Sequence, residues 1–355
     1  MDLPDRRLNA QGLADSDLTG PEAVVDRLLA VQAQDGRGAR LAVRSRLAGS
    51  VDEPTSALVD EALNEGRLVV GWLNRGTLHL VRSEDYPWLH AITGPRAATS
   101  NRTRLRQEGV SEAQAEQAVK MLVRVLDAGP APRPVLREKL EAAGIPVGGQ
   151  AMVRILYLAS IRSLIVRGPM AGKEQAFVLF RDWLGEPVGF DPDLHLPELA
   201  RRYLSGHGPA SDRDLAAWAG IPLGQARKGL TAIAGEIEEL GPDESGEALV
   251  DLKTRPEPSA AAGVVRLLGS FDPLLHGWNR RDWIIPDATA RGVVTVNGLF
   301  RPSILVGKKI VGIWSLRSGE IELAPFGRLD RKTAVALDEE AERVLNYLGT
   351  NPAPG

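Results

Sequence analysis

Two glutamines, Gln32 and Gln34, stand two residues apart in the stretch Val31-Gln32-Ala33-Gln34-Asp35-Gly36. Each carboxamide offers a carbonyl acceptor and two N–H donors. A pair aimed at one point can hold a water molecule. Neither amide is a useful general base, so the chemistry such a pair suits is positioning water against a centre that is already electrophilic. The spacing carries a structural demand. On a helix, residues i and i+2 face different sides, because successive side chains turn by about 100°. In extended or turning backbone, alternate side chains point the same way. A helix must therefore end just before Gln32. The competing reading is two surface glutamines at a helix end, since short motifs have a high false-positive rate.

The surrounding elements meet that demand. Val24, Val25, Leu28 and Leu29 follow helical spacing after Gly20-Pro21, a start signal. A second helix carries Leu41, Val43 and Leu47, and a third, over 55–65, carries Leu58, Val59, Ala62 and Leu63 before Gly66. Residues 67–81 read as a hairpin around Asn74-Arg75-Gly76. Three helices followed by a hairpin is the order of a winged helix-turn-helix. The order recurs with helices at 111–128, 134–143 and 150–163 and strands at 165–168 and 177–180. It recurs again from Leu196, with Ser211 as an N-cap, a turn at Gly220-Ile221-Pro222 and strands at 237–240 and 248–252. A linker at Arg255-Pro256-Glu257-Pro258-Ser259 precedes short β-prone runs at 264–268, 292–296, 303–306, 310–314 and 321–323, spaced as in a small barrel. The expected fold class is α+β: three tandem winged helix-turn-helix units over 18–82, 83–190 and 191–254, then a C-terminal β-barrel lobe over 260–330. A closing helix and tail occupy 331–355.

Composition bounds the function. With 43% hydrophobic and 25% charged residues, the 355-residue chain is an ordinary globular protein. It has no cysteine, which excludes disulfides, a thiolate nucleophile and cysteine-held metal. The five histidines, His79, His90, His195, His207 and His276, lack ligand spacing, so neither a metal nor another cofactor is expected. No run has membrane-spanning length and no leader pattern opens the chain, which points to a cytoplasmic monomer without a membrane partner. A net charge of −3 means that any nucleic-acid contact is local.

Several stretches together resemble the AlkZ/YcaQ superfamily of bacterial DNA glycosylases: the glutamine pair, Arg75-Gly76-Thr77-Leu78-His79-Leu80-Val81, and Leu268-Gly269-Ser270-Phe271-Asp272-Pro273-Leu274-Leu275. Asn297-Gly298, Arg301-Pro302-Ser303-Ile304-Leu305-Val306 and Val311-Gly312-Ile313-Trp314 complete the match. The likeness spans about residues 20–330. One branch carries Gln-x-Gln and the other Gln-x-Asp, so this chain resembles the AlkZ-like branch. His276-Gly277-Trp278 departs from the aromatic or apolar residue expected after the Phe-Asp-Pro stretch, which itself reads as structural.

The resemblance implies a C-shaped array around double-stranded DNA and hydrolysis of the N-glycosidic bond of alkylated purines, usually substituted at N7. Bulky natural-product adducts, interstrand crosslinks and self-resistance fall within its scope, as does association with the bacterial nucleoid. The expected catalytic residues are Gln32 and Gln34, with Thr77 and His79 in support. Arg37, Arg40, Arg44 and Arg75 are candidate DNA contacts, and Arg280, Arg281, Lys308 and Lys309 weaker ones. No lysine near the glutamines could form a Schiff base, which points to a monofunctional glycosylase. The alternative is a non-catalytic winged-helix regulator, which would have no use for Gln32-Ala33-Gln34.

Overall fold

The computed structural model describes residues 2–94, 98–187, 189–243 and 246–349; the tail expected at 350–355 lies outside them. In chain order the elements begin with α1 (Leu3–Ala10), α2 (Pro21–Leu28), β1 (Val31–Gln32), α3 (Gly36–Arg44) and α4 (Ala57–Asn64). β2 (Leu68–Trp72), β3 (Leu78–Arg82), α5 (Tyr86–Thr93), α6 (Ala98–Gln107), α7 (Glu112–Leu126), α8 (Arg133–Ala142) and α9 (Ala151–Ile161) follow. Then come β4 (Ile165–Ala171), β5 (Glu174–Leu179), α10 (Phe180–Leu184), α11 (Leu196–His207), α12 (Asp212–Ala219), α13 (Leu223–Ala232), β6 (Ile237–Pro242) and β7 (Ala248–Leu252). The chain ends with β8 (Val265–Leu268), α14 (Ala290–Val293), β9 (Ser303–Val306), β10 (Lys309–Arg317), β11 (Glu320–Pro325) and α15 (Arg331–Leu348). They form two compact units: Met1–Val59 with Leu196–Gly355, and Asp60–His195. No helix among the described residues is long and apolar enough to cross a membrane.

In the unit over 60–195, β2 pairs antiparallel with β3, Val70 facing Leu80, and with β4, Val70 facing Arg167. β5 extends the sheet beyond β4. The two hairpins thus share one sheet. A tight turn at Asn74–Gly76 joins β2 to β3, with Arg75 at φ 56°. Leu122, Leu136 and Ile155, from α7, α8 and α9, form the core with Trp72 and Phe177. α9 is apolar on nearly every face, which fixes it as a buried helix.

In the other unit, the N-terminal segment forms α1, a helix not expected from the sequence. Its buried Arg7 and Leu8, and Gln11 just past its end, anchor it; Gln11 Nε2 donates to the Gly206 carbonyl at 2.7 Å. α12 is set by a capping box between Ser211 and Asp214 and ends at Gly220 in the left-handed region, where glycine meets no Cβ penalty.

The expected C-terminal barrel is corrected. The strands form an open sheet ordered β11-β10-β9-β8. The run at 292–296 supplies no strand to it: Ala290–Val293 is helical, and Val294 makes only an isolated bridge to Phe300. With four short strands, the apolar face is covered by another element instead of closing on itself. α15 brings Leu337, Val344 and Tyr347 onto Leu267, Ile304 and Trp314, and Leu41 of α3 joins this core. α3 is thereby fixed to the C-terminal sheet.

Candidate active site

The helix before the glutamines ends as the spacing requires. Leu29 caps α2 at φ 62°, and the Ala30 N–H donates to the Leu28 carbonyl at 2.8 Å. A left-handed leucine costs about 1–3 kcal/mol and persists only where packing over-determines it. Leu29 is fully buried, and Gly206 of α11 lies so close that a Cβ there would stand 2.3 Å from the Arg27 carbonyl oxygen. The chain leaves this reversal extended as β1, and the alternating geometry brings Gln32 and Gln34 together. Gln32 Nε2 donates to Gln34 Oε1 at 2.6 Å. Gln32 is 6% exposed, its Oε1 is buried without a hydrogen-bond partner among the described residues, and Gln34 is exposed. An unpaired buried acceptor costs about 1–3 kcal/mol, which marks Oε1 as a position with something to accept.

Asp35 is the N-cap of α3, its Oδ1 accepting from the Arg37 N–H at 3.0 Å, so it serves the helix rather than the motif. Behind the motif, backbones meet closely: a Cβ on Gly38 would lie 2.4 Å from the Ser270 carbonyl oxygen, and one on Gly269 2.7 Å from the Gly38 carbonyl oxygen. Arg46, just past α3, is fully buried against fully buried Asp272, with Nη1–Oδ2 at 3.0 Å and Nη2–Oδ1 at 2.8 Å. Gln11 Oε1 and the Ala42 carbonyl also accept from its two terminal nitrogens, while its Nε is buried without a hydrogen-bond partner among the described residues. The Phe-Asp-Pro stretch is therefore the strut that seats α3.

Arg44, expected to reach DNA, is committed inside the unit. Its guanidinium makes a bidentate pair with Glu340 of α15, at 2.7 and 3.0 Å, with side chains 8% and 2% exposed. Burial opposes charge on Glu340, but the hydrogen bond from Arg44 and the cations Arg44 and Arg266 outweigh it and hold the carboxyl below its usual range. Arg37 is exposed, and Arg40 is half-buried and donates to the Gly36 carbonyl at 2.9 Å. Arg280 pairs with Asp282, Arg281 donates to the Leu275 carbonyl, Lys308 pairs with Asp2 and Asp5, and Lys309 donates to the Trp283 carbonyl.

The remaining candidates belong to the 60–195 unit. His79 is buried, with Nδ1 3.0 Å from the Thr77 carbonyl oxygen. Burial first, and then the nearby Arg75 cation, push its pKa down to about 3 against that hydrogen bond, so the ring is neutral at physiological pH. Thr77 Oγ1 donates to the Asn74 carbonyl at 3.1 Å, and Arg75 is exposed at the turn. Asn74 was not anticipated: it is fully buried, and both its amide atoms lack a hydrogen-bond partner among the described residues. In sequence it reads only as a turn former.

A neutral buried carbonyl acceptor of this kind is suited to holding a water by positioning. The family model of the DNA glycosylase AlkZ-like proteins matches residues 25–347, and the chain belongs to that family. It is a DNA glycosylase, a hydrolase of N-glycosyl compounds acting in DNA repair. Among its relatives is the interstrand DNA cross-link repair glycosylase of Streptomyces sahachiroi, 28% identical over 353 residues that cover 95% of this chain and 93% of the relative. The solved structure of Streptomyces sahachiroi DNA glycosylase AlkZ is similar in fold, with a TM-score of 0.78, 24% identity, and coverage of 98% of this chain and 96% of that one.

Proposed function

We propose that the chain is a monofunctional glycosylase for N7-alkylated purines in duplex DNA, with Gln32 and Gln34 as its catalytic residues. The observation that carries this reading is the buried, unpartnered Oε1 of Gln32, held in place by the 2.6 Å bond from its own Nε2 to Gln34. Oε1 accepts one O–H of the attacking water and directs the oxygen lone pair at C1′ of the sugar. The C1′–N9 bond breaks, and its electron pair neutralises the cationic purine as it leaves. The water's proton passes to solvent. The transition state resembles the oxocarbenium ion of glycoside hydrolysis. An alkylated purine is already a good leaving group, so no strong acid is needed, and undamaged bases should be spared.

We read the three helix–hairpin blocks, 18–82, 83–190 and 191–254, as winged helices that grip the duplex. Arg37, Arg40 and Arg75 are proposed phosphate contacts, and Thr77 and His79 hold the turn that presents Arg75. Arg44 is left out because Glu340 occupies its fork. Crosslink repair is the named activity of the Streptomyces relative, and we extend it to bulky N7 adducts and crosslinks here, including those of a self-made genotoxin. The test is a panel of duplexes carrying N7-guanine adducts of rising bulk and one crosslink, scored for base release. Release by the native chain, abolished in Gln34→Ala, supports the reading. Sequence-specific binding to undamaged DNA with no release would replace it with a regulator.

A further inference from the structure

We propose that Phe271, with His276 and Phe300 behind it, is a stacking platform for a planar π-system on the damaged nucleotide, and hence a specificity-determining residue. The inference rests on the assignment of Gln32 and Gln34 as the reacting centre. Phe271 has φ 57°, an outlier for a bulky side chain. Both of its neighbours are clamped. Ser270 is pressed against Gly38, and Asp272 is locked by the two-pronged pair with buried Arg46. Backbone held this way in an unfavourable region marks a position where side-chain direction matters.

The ring so directed is only half-buried. It stacks on His276 with centroids 5.9 Å apart and planes at 15°, and it lies 6.2 Å from Phe300. His276 and Phe300 are themselves 3.9 Å apart, and the Arg281 guanidinium stands 5.1 Å from the Phe300 ring. Phe271 is thus backed by an aromatic layer and keeps partial exposure. Its backbone is tied through Ser270 to α3, the helix that follows the motif. Ser270 touches α3 at Gly38, three residues beyond the Asp35 cap, which is about one helical turn, ~5 Å, from the end of the glutamine stretch.

An aromatic face carries partial negative charge and attracts electron-poor planar groups. An N7-alkylated purine is one such group, and a flat aryl substituent on N7 is another. The shared chemistry is a planar π-system, and the two sources separate by experiment. The full chain, Phe271→Leu and Phe271→Trp are titrated into three duplexes: undamaged, N7-methyl, and N7-polycyclic-aryl. The damaged guanosines carry a 2′-fluorine, which disfavours the oxocarbenium-like transition state and keeps the bond intact. Affinity is read by fluorescence anisotropy relative to undamaged duplex, and thermal midpoints are recorded.

Phe271→Leu should lose roughly tenfold in affinity for the aryl duplex, and Phe271→Trp should keep it. Loss confined to the aryl duplex identifies the substituent as the stacked group, whereas equal loss on both damaged duplexes identifies the purine. Unchanged affinities in Phe271→Leu would overturn the proposal. So would a loss that tryptophan does not restore and that tracks a lowered midpoint, because that is a packing effect. The readout involves no base release, so failure of the glutamine mechanism leaves this result separately legible.

Discussion

The two ends of α3 treat their buried polar groups differently: Arg46 leaves only its Nε without a partner among the described residues, whereas Gln32 leaves its carbonyl oxygen. Past its C-terminus, Arg46 has carboxylate, amide and carbonyl acceptors for both terminal nitrogens, all within 3.0 Å. Before its N-terminus, Gln32 keeps a buried carbonyl oxygen with no acceptor duty fulfilled. The C-terminal end, with its paired guanidinium nitrogens, fixes the helix to Asp272 and, through Arg44, to α15. The unsatisfied end is where the proposed mechanism puts the attacking water. On the proposed mechanism, the open acceptor of Gln32 is kept for the reaction at some cost in stability.

That contrast is breakable at several strengths. Asp272→Ala removes one partner of a fully buried pair and leaves Arg46 charged and uncompensated. It should cost about 3–5 kcal/mol in chemical denaturation. A small loss of stability would mean that α3 is seated by apolar packing alone.

Acid should act next most strongly, and on stability rather than chemistry. His79, His90 and His207 are pushed by burial to about 3, 4 and 3 from an ordinary 6.5. The native state refuses protons that the unfolded chain takes, so their contribution is complete above pH 6.5 and is lost as pH falls toward 3 to 4. The thermal midpoint should drop across that window. Single-turnover base release should stay flat from pH 6.5 to 9, because neither glutamine titrates. A bell-shaped rate profile would expose an ionisable catalyst elsewhere. The smallest effect belongs to Arg37→Ala and Arg75→Ala. Each should weaken binding evenly across sequences and reduce the salt slope by about one, read from affinities at several salt concentrations.

The sequence was informative where causes are local. The end of α2, the glutamine pair and the hairpin at Asn74–Gly76 follow from i, i+2 alternation and turn chemistry within a few residues. Ser211 as an N-cap is equally local. What escaped depends on distant partners. Asp272 lies 226 residues from Arg46, and Glu340 lies 296 from Arg44, so nothing near either arginine distinguishes a buried clamp from a phosphate contact. Barrel closure failed for the same reason: whether a sheet closes or is covered depends on α15, not on the strands. α1 also escaped, because its buried face is made partly of Arg7 and the following Gln11, polar residues satisfied by tertiary partners.

The most direct measurement pairs the single-turnover rate of base release from an N7-methylguanine duplex with the thermal midpoint of Gln32→Met. Methionine keeps the length and bulk of the side chain but removes the buried oxygen. The rate should fall by about 10²–10³-fold, and the midpoint should hold or rise, since an unpaired buried acceptor is gone. An unchanged rate would contradict the assignment of that oxygen to the attacking water, and a lowered midpoint with an unchanged rate would make Gln32 a residue of the fold.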